Sequence, residues 1–171
     1  MTASNISRKD QMRELFAQGK YFKLVCGAGN EDAEEVRRLA TIYTLAGASG
    51  LDISASPEIV KACKEGINFA YSVSDDLEIE LGHLPFIKVS VGMPGDHHVR
   101  KAFIIDDCVS CDLCIPVCPT NAIPDSLVII RDKCIGCGLC EVACPPKINA
   151  IRYEHNGKDL KTLLPECLEA G

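Results

Sequence analysis

The sequence contains no tryptophan and only nine aromatic residues, Phe and Tyr together. No apolar run approaches the roughly 18 residues of a membrane span. Lys and Arg (18) are outnumbered by Asp and Glu (24), for a net charge of -6 over 171 residues. A nucleic-acid phosphate binder needs a basic face, so that class is set aside. The first twenty residues, Met1 to Lys20, are polar and lack an export-signal core. No G-x-G-x-x-G or G-x-x-x-x-G-K motif is present, which leaves nucleotide binding without sequence support. Cysteine is the residue in excess: 11 of 171, about 6%, an odd count below the ~8–10% of a disulfide scaffold. Without an export signal the thiols are expected to stay reduced, so metal, catalysis or packing must account for them.

Eight of the eleven cysteines lie between Cys108 and Cys144, in two copies of one pattern. The first copy is Cys108-Val-Ser-Cys111-Asp-Leu-Cys114-Ile-Pro-Val-Cys118-Pro119. The second is Cys134-Ile-Gly-Cys137-Gly-Leu-Cys140-Glu-Val-Ala-Cys144-Pro145. Both read C-x2-C-x2-C-x3-C-P, the run that holds [4Fe–4S] clusters. Three thiolates two residues apart can cap three iron corners from one short loop. The fourth is expected to start a helix and point away toward the neighbouring cluster, with Pro at the first helical position. Structural zinc would take two C-x2-C pairs rather than two sets of four. Gly136 and Gly138 let backbone N–H groups approach the cluster sulfurs, where such bonds tune potential.

This stretch, roughly Ala102 to Glu154, resembles the bacterial-type two-[4Fe–4S] ferredoxins. The resemblance implies two [4Fe–4S] clusters, one held by Cys108, Cys111, Cys114 and Cys144, the other by Cys134, Cys137, Cys140 and Cys118. One departure stands out. After Cys118 the chain reads Pro119-Thr120-Asn121-Ala122-Ile123, but after Cys144 it reads Pro145-Pro146-Lys147-Ile148-Asn149-Ala150-Ile151, two residues longer before the matching Ala-Ile. The helix after Cys144 is therefore expected to be lengthened or replaced by a loop. Flanking strands are expected at Phe103–Asp106, Leu127–Arg131 and Ile151–Glu154.

Residues 20–95 read as strand, helix, strand, helix, strand. Lys23-Leu24-Val25-Cys26 ends at Gly27-Ala28-Gly29. Asn30 is the expected N-cap, ahead of acidic residues that suit a helix N-terminus. Val36, Leu39, Ala40 and Tyr43 form one helical face, with Gly47 as C-cap. Leu51-Asp52-Ile53 is a second strand. Ser56-Pro57 opens a helix with apolar Ile59, Val60, Cys63 and Ile67, and Phe86 to Val91 form a third strand. This order predicts an α/β fold with a parallel sheet, as part of a β/α barrel or of a doubly wound sheet. The strand ends Cys26–Gly29, Ser54–Ser56 and Ser90–Gly92 are where chemistry would sit.

Lys23, Lys88 and Asp52 fall inside strands. They are either a buried charged site at the sheet top, or lysines that snorkel at a strand edge and an Asp that caps a loop. Cys26 reads as a small buried hydrophobe, with a redox-active thiol as the alternative; Cys63 and Cys167 read as core. His97-His98 reads as a solvated turn, and His83 and His155 carry no motif.

Beyond the cysteines, the runs Lys20 to Asn30, Tyr43 to Gly47 with Leu51 to Ala55, and Lys88 to Val91 with His98 to Ala102 resemble the LdpA-type (light-dependent period) iron–sulfur proteins of cyanobacteria and plastids. That resemblance implies a cytoplasmic or stromal protein that senses or relays redox state, linked to photosynthetic electron flow and clock input.

The expected organisation is a polar N-terminal segment (1–19), a partial, barrel-like β/α unit (20–97), an inserted or appended α+β ferredoxin-like two-cluster domain (98–156) and a C-terminal helix (157–171). Leu160, Leu163, Leu164, Cys167 and Leu168 give that helix a wide apolar face, and Pro165 is expected to bend or interrupt it. It reads either as the start of a continuation of the α/β domain or as a helix folded back on the existing sheet. The expected function is single-electron transfer between a redox donor and acceptor, within a larger redox complex or alone, and without nucleic acid or a membrane span. The alternatives are a redox-sensing regulatory protein, or an iron–sulfur subunit of an oxidoreductase whose α/β part holds substrate or flavin.

Overall fold

The computed structural model describes residues 7–27, 29–91, 99–155 and 160–171. Ala28 and Gly92, and the His97-His98 turn, lie outside them, as do residues 1–6 and 157–159.

The first element is a helix, α1 (Arg8–Ala17), within the segment expected to be merely polar. Ser7 caps it, accepting a hydrogen bond from the Asp10 amide at 3.1 Å. None of its residues is buried. It is anchored instead by Arg8, which donates to the carbonyls of Leu84 and Pro85 at 2.7 and 3.0 Å and lies 3.8 Å over the Phe86 ring.

Strands β1 (Lys23–Gly27), β2 (Gly50–Ser54) and β3 (Phe86–Ser90) form a parallel sheet in the order β1-β2-β3. They alternate with α2 (Ala33–Leu45) and α3 (Pro57–Val73), the order expected from the apolar pattern. Leu24, Leu51 and Ile87 stand in register across the sheet, and so do Val25, Asp52 and Lys88. Leu51 and Ile53 are fully buried and pack with Val36 and Ala40 of α2 and Ile59, Val60, Cys63 and Ile67 of α3. Both helices therefore cover one face of the sheet. The helices themselves meet closely. A methyl group added at Gly66 would lie 2.2 Å from the Arg37 carbonyl oxygen, and Thr41 Oγ1 donates to the Gly66 carbonyl at 3.1 Å.

Two caps differ in detail from expectation. Asp32, not Asn30, caps α2, its carboxylate accepting from the Glu35 amide at 3.1 Å. Asn30 acts two residues earlier, accepting from the Asp32 amide and donating to the Cys26 carbonyl. A shorter Asx turn thus takes the first capping position, and the helix starts later. Ser56 precedes Pro57 at the start of α3, but its side chain makes no cap bond. Gly47 follows α2 with φ +82°, as a C-terminal glycine should.

The last helix, α5 (Leu160–Ala170), runs through Pro165 without interruption. It packs on α3: Cys167 enters the α/β core and Lys64 donates to the Ala170 carbonyl at 3.2 Å. Of its predicted apolar face only Cys167 is buried, while Leu168 stays 80% exposed.

Strands β4 (Arg100–Ile104) and β5 (Ile151–His155) pair antiparallel, with Ala102 opposite Tyr153 and Ile104 opposite Ile151. They bracket both cysteine motifs. The strand expected at Leu127–Arg131 does not form. Leu127 takes φ +57°, in the left-handed region, and turn bonds hold the segment instead of a ladder: the Leu127 amide donates to the Pro124 carbonyl (2.8 Å), the Ile130 amide to the Ala122 carbonyl (2.8 Å) and the Cys134 amide to the carbonyls of Ile130 and Arg131. A second core holds Ala102, Ala122, Ile123 and Ile151 together with the buried thiols.

Candidate metal centre

The two motifs fold as loops, not helices, for most of their length. Gly136 and Gly138 take φ +66° and +86°, the conformation that lets the second loop turn around its thiols. One helical turn, α4 (Leu139–Ala143), carries Cys140 and ends at Cys144. This reverses the expected arrangement: the helix precedes the fourth cysteine instead of starting at the proline after it. The insertion after Cys144 is a tight turn, with the amides of Ile148 and Asn149 both donating to the Pro145 carbonyl at 2.9 Å. Neither motif has a helix after its Cys-Pro, because the chain must turn at once to bring Ala122 and Ala150 back over the thiols.

That return has a consequence at the sulfurs. The Ala122 amide donates to Cys118 Sγ at 3.2 Å and the Ala150 amide to Cys144 Sγ at 3.3 Å. The two motifs thus make the same bond from the same Ala-Ile dipeptide. The Ser110 amide donates to Cys108 Sγ and the Ala102 amide to Cys134 Sγ, both at 3.4 Å. Backbone N–H groups aimed at sulfur favour thiolate over thiol.

Cys108, Cys111, Cys114 and Cys144 line one cavity, walled by Ile104, Ile148 and Ile151. Burial pushes the Cys114 thiol up, and the neighbouring Cys108, Cys111 and Cys144 sulfurs add to the rise. In the second motif burial pushes up the Cys140 thiol, against the pull of the Tyr153 hydroxyl and with Cys134 and Cys137 close by. The loop after Cys118 is drawn to this second group, since Thr120 Oγ1 donates to the carbonyl of Lys133, next to Cys134, at 2.7 Å. Cys111 and Cys137 are exposed; Cys114, Cys134 and Cys140 are buried.

Among the described residues, no three Cys, His, Asp or Glu side chains converge tightly enough for a single metal ion. A cubane cluster asks for a different arrangement, one thiolate at each of four iron corners, and the donor set fits that demand. An orphaned atom fits it too. Tyr153 Oη is buried and makes no hydrogen bond of ordinary geometry, although it lies near enough to Cys140 to draw on its sulfur. Such an atom calls for an acceptor, and a cluster-bound sulfur supplies one.

Outside the cysteine loops, Asp52 is 6% exposed and accepts from Lys23 Nζ and from Ser90 Oγ, with Lys88 Nζ 3.8 Å away. Each reading holds for part of the group: Asp52 is a buried charge, while half-buried Lys23 and exposed Lys88 reach it from the surface. Cys26 and Cys63 lie in the α/β core. Burial, with Asp52 nearby, raises Cys26 to about 11; burial, with Cys26 nearby, raises Cys63 to about 12. A cleft of about 790 Å³ lies between the β1–α2 loop and the second cysteine loop, with Cys26, Asn30, Arg38, Lys133 and Cys137 on its walls.

Three residues that the sequence did not single out surround the second loop. Arg100 Nε donates to the Gly136 carbonyl at 3.1 Å, and its guanidinium lies 3.8 Å over the Tyr153 ring. Lys101, 1% exposed, donates to the Cys134 carbonyl at 2.8 Å. A charged residue in the middle of a short strand carries no periodic signature that would reveal its burial.

Residues 102–123 and 127–148 each match the 4Fe-4S binding domain family. Over 161 residues the chain is 35% identical to Light dependent period A of Synechococcus elongatus, an alignment that covers 92% of this chain and 43% of that protein. The chain therefore spans less than half the length of this curated relative. No solved structure matches. No helix among the described residues is long and apolar enough to cross a membrane.

Proposed function

We propose that the protein relays single electrons through two [4Fe–4S] clusters, since residues 102–123 and 127–148 match the 4Fe-4S binding domain family and the chain resembles Light dependent period A. The ligand sets are Cys108, Cys111, Cys114 and Cys144 for the first cluster, and Cys134, Cys137, Cys140 and Cys118 for the second. The observation that carries this reading is the shared cavity of Cys108, Cys111, Cys114 and Cys144. It draws the last thiol of one motif to the first three of the other.

Each cluster supplies one-electron chemistry when bound. The chain's part is to bind, shield and bias. The eight thiolates hold the iron, the aliphatic wall of Ile104, Ile148 and Ile151 keeps water from the first site, and the amides of Ala102, Ser110, Ala122 and Ala150 stabilise negative charge on sulfur. No acid/base pair or nucleophile is required. Electrons arrive from one redox protein and leave to another. The acidic balance of the chain suits attraction to a basic partner face.

In this reading residues 20–97 form a β/α unit with barrel-like winding, supported by an advancing strand order and by two connecting helices on one face. Residues 98–156 are the cluster domain, and 157–171 the C-terminal segment whose helix, Leu160–Ala170, docks on the unit. A second reading, a redox-sensing regulatory protein of the cytoplasm or stroma, is favoured by the similarity to Light dependent period A. Anaerobic purification with an absorption spectrum and iron analysis tests both against an enzyme. The expected result is a broad iron–sulfur band, about eight irons per chain and no flavin band. A flavin band would favour an oxidoreductase subunit, and iron near zero would end the proposal.

A further inference from the structure

Lys101 is among the largest fully buried side chains of the described residues, and it is a cation. Its ammonium group donates to the Cys134 carbonyl at 2.8 Å and to the Gly29 carbonyl at 2.9 Å, and stands 3.3 Å from Glu31 Oε2. All three ammonium donors thus have partners. Two of the three partners come from the β1–α2 loop of the α/β unit, the third from a cysteine of the second motif. Burying an ammonium is costly even when it is paired, and an unbranched apolar side chain could fill the same space. The charge therefore calls for an explanation beyond packing.

The surroundings point the same way. Arg100 reaches the Gly136 carbonyl within the same loop, and the orphaned Tyr153 hydroxyl sits beside Cys140. The first cavity is different. Its lining includes Asp112 and no Lys, Arg or His, and residues 102–130 hold four aspartates and no basic residue. Adding one electron to a cluster adds one negative charge, and positive charge held in a poorly screened interior favours that form.

We propose that Lys101 sets the potential of the second cluster, making it the higher-potential of the two, and that Glu31 holds Lys101 there while partly offsetting its charge. This rests on the ligand sets given above. With that ordering, transfer from the first site, beside exposed Cys111, Val109 and Leu113, to the second would run downhill, and the second would hold the electron until the acceptor takes it. The second potential is tied to the conformation of the β1–α2 loop, because that loop supplies both Gly29 and Glu31.

The test is redox potentiometry with electron paramagnetic resonance on the full chain, loaded with iron and sulfide without oxygen. Paramagnetically shifted cysteine β-proton resonances assign each midpoint to its cluster. Lys101→Met should weaken reduction of the second cluster at least tenfold, about 59 mV for one electron, and move the first by less than half as much. Lys101→Arg should restore most of the shift. Glu31→Gln, which removes the opposing charge, should move the second midpoint upward. If Lys101→Met fails to keep its iron, the sign of the Glu31→Gln shift decides alone. Midpoints that stay still or move together in both variants, or a downward shift in Glu31→Gln, would overturn the proposal. A wrong ligand set shows itself separately, as iron well short of eight per chain in the unaltered protein.

Discussion

Cys114 and Cys144 face the same cavity although they belong to different motifs. The chain arrives there by two devices. Strands β4 and β5 pair at Ala102 and Tyr153, which holds the two ends of the cysteine region together. The turn at Pro145 then folds the Ala150 amide back onto Cys144 Sγ. Neither device depends on a helix after the Cys-Pro, which is why the absence of one there leaves the thiols gathered.

The α2–α3 interface allows a sharp test of packing. Gly66→Ala would press its methyl group against the Arg37 carbonyl, 2.2 Å away, and the Ala40 methyl, 2.9 Å away. Both neighbours are held in helical backbone or close packing, so the helices must separate. A loss of about 2–3 kcal/mol is expected, read as a lower urea midpoint with unchanged iron content.

The Asp52 group should show a defined pH response. Burial pushes its carboxyl up, but the bonds from Lys23 and Ser90 and the charges of Lys23 and Lys88 outweigh this, so the net shift is downward. A carboxylate with a depressed folded pKa stabilises fully above its unfolded value of about 3.9 and loses that contribution as pH falls through the folded one. Asp52→Asn should therefore cost roughly 1–3 kcal/mol at pH 7. The gap between variant and parent should hold down to about pH 4 and close below it. Comparing the two proteins by urea unfolding cancels the acid loss of any cluster. A gap that widened in acid would contradict the assignment.

Cys26 and Cys63 should behave as core. With thiols raised to about 11 and 12, alkylation by iodoacetamide at pH 8 should leave both unmodified in the folded protein, as mass spectrometry of peptides can show. Rapid labelling of Cys26 would revive the redox-active reading of that strand end.

What was legible in the sequence followed from local rules. Periodicity marked α2 and α3, because Val36, Ala40, Ile59 and Cys63 recur on one helical face and that face is the buried one. The cysteine spacing marked the cluster loops. The misses came where tertiary contacts decide. Helix α1 has only the short apolar stripe Met12, Leu15 and Phe16, buries none of its residues, and is held by Arg8 on Phe86 and by Phe16 stacked on Tyr21. Leu127–Arg131 has the residues of a strand but finds no partner strand, and the left-handed Leu127 starts a loop instead. Lys101 looks like any surface lysine until β4 is paired and the β1–α2 loop covers it. Asp52 and its lysines could be read either way because register across three strands decides whether they meet.

The crossed ligand set is the centre of the account, and paired cysteine variants test it most directly. Cys118→Ala and Cys144→Ala should each be loaded with iron and sulfide, then examined by quantitative iron analysis and electron paramagnetic resonance, with cysteine β-proton shifts assigning the surviving cluster. The account predicts that Cys118→Ala loses the cluster of Cys134, Cys137 and Cys140, or leaves it with three irons, and keeps the other intact. Cys144→Ala should do the reverse. If Cys118→Ala instead spares the second cluster and breaks the one at Cys108, Cys111 and Cys114, each motif holds its own cluster and the crossed assignment is contradicted.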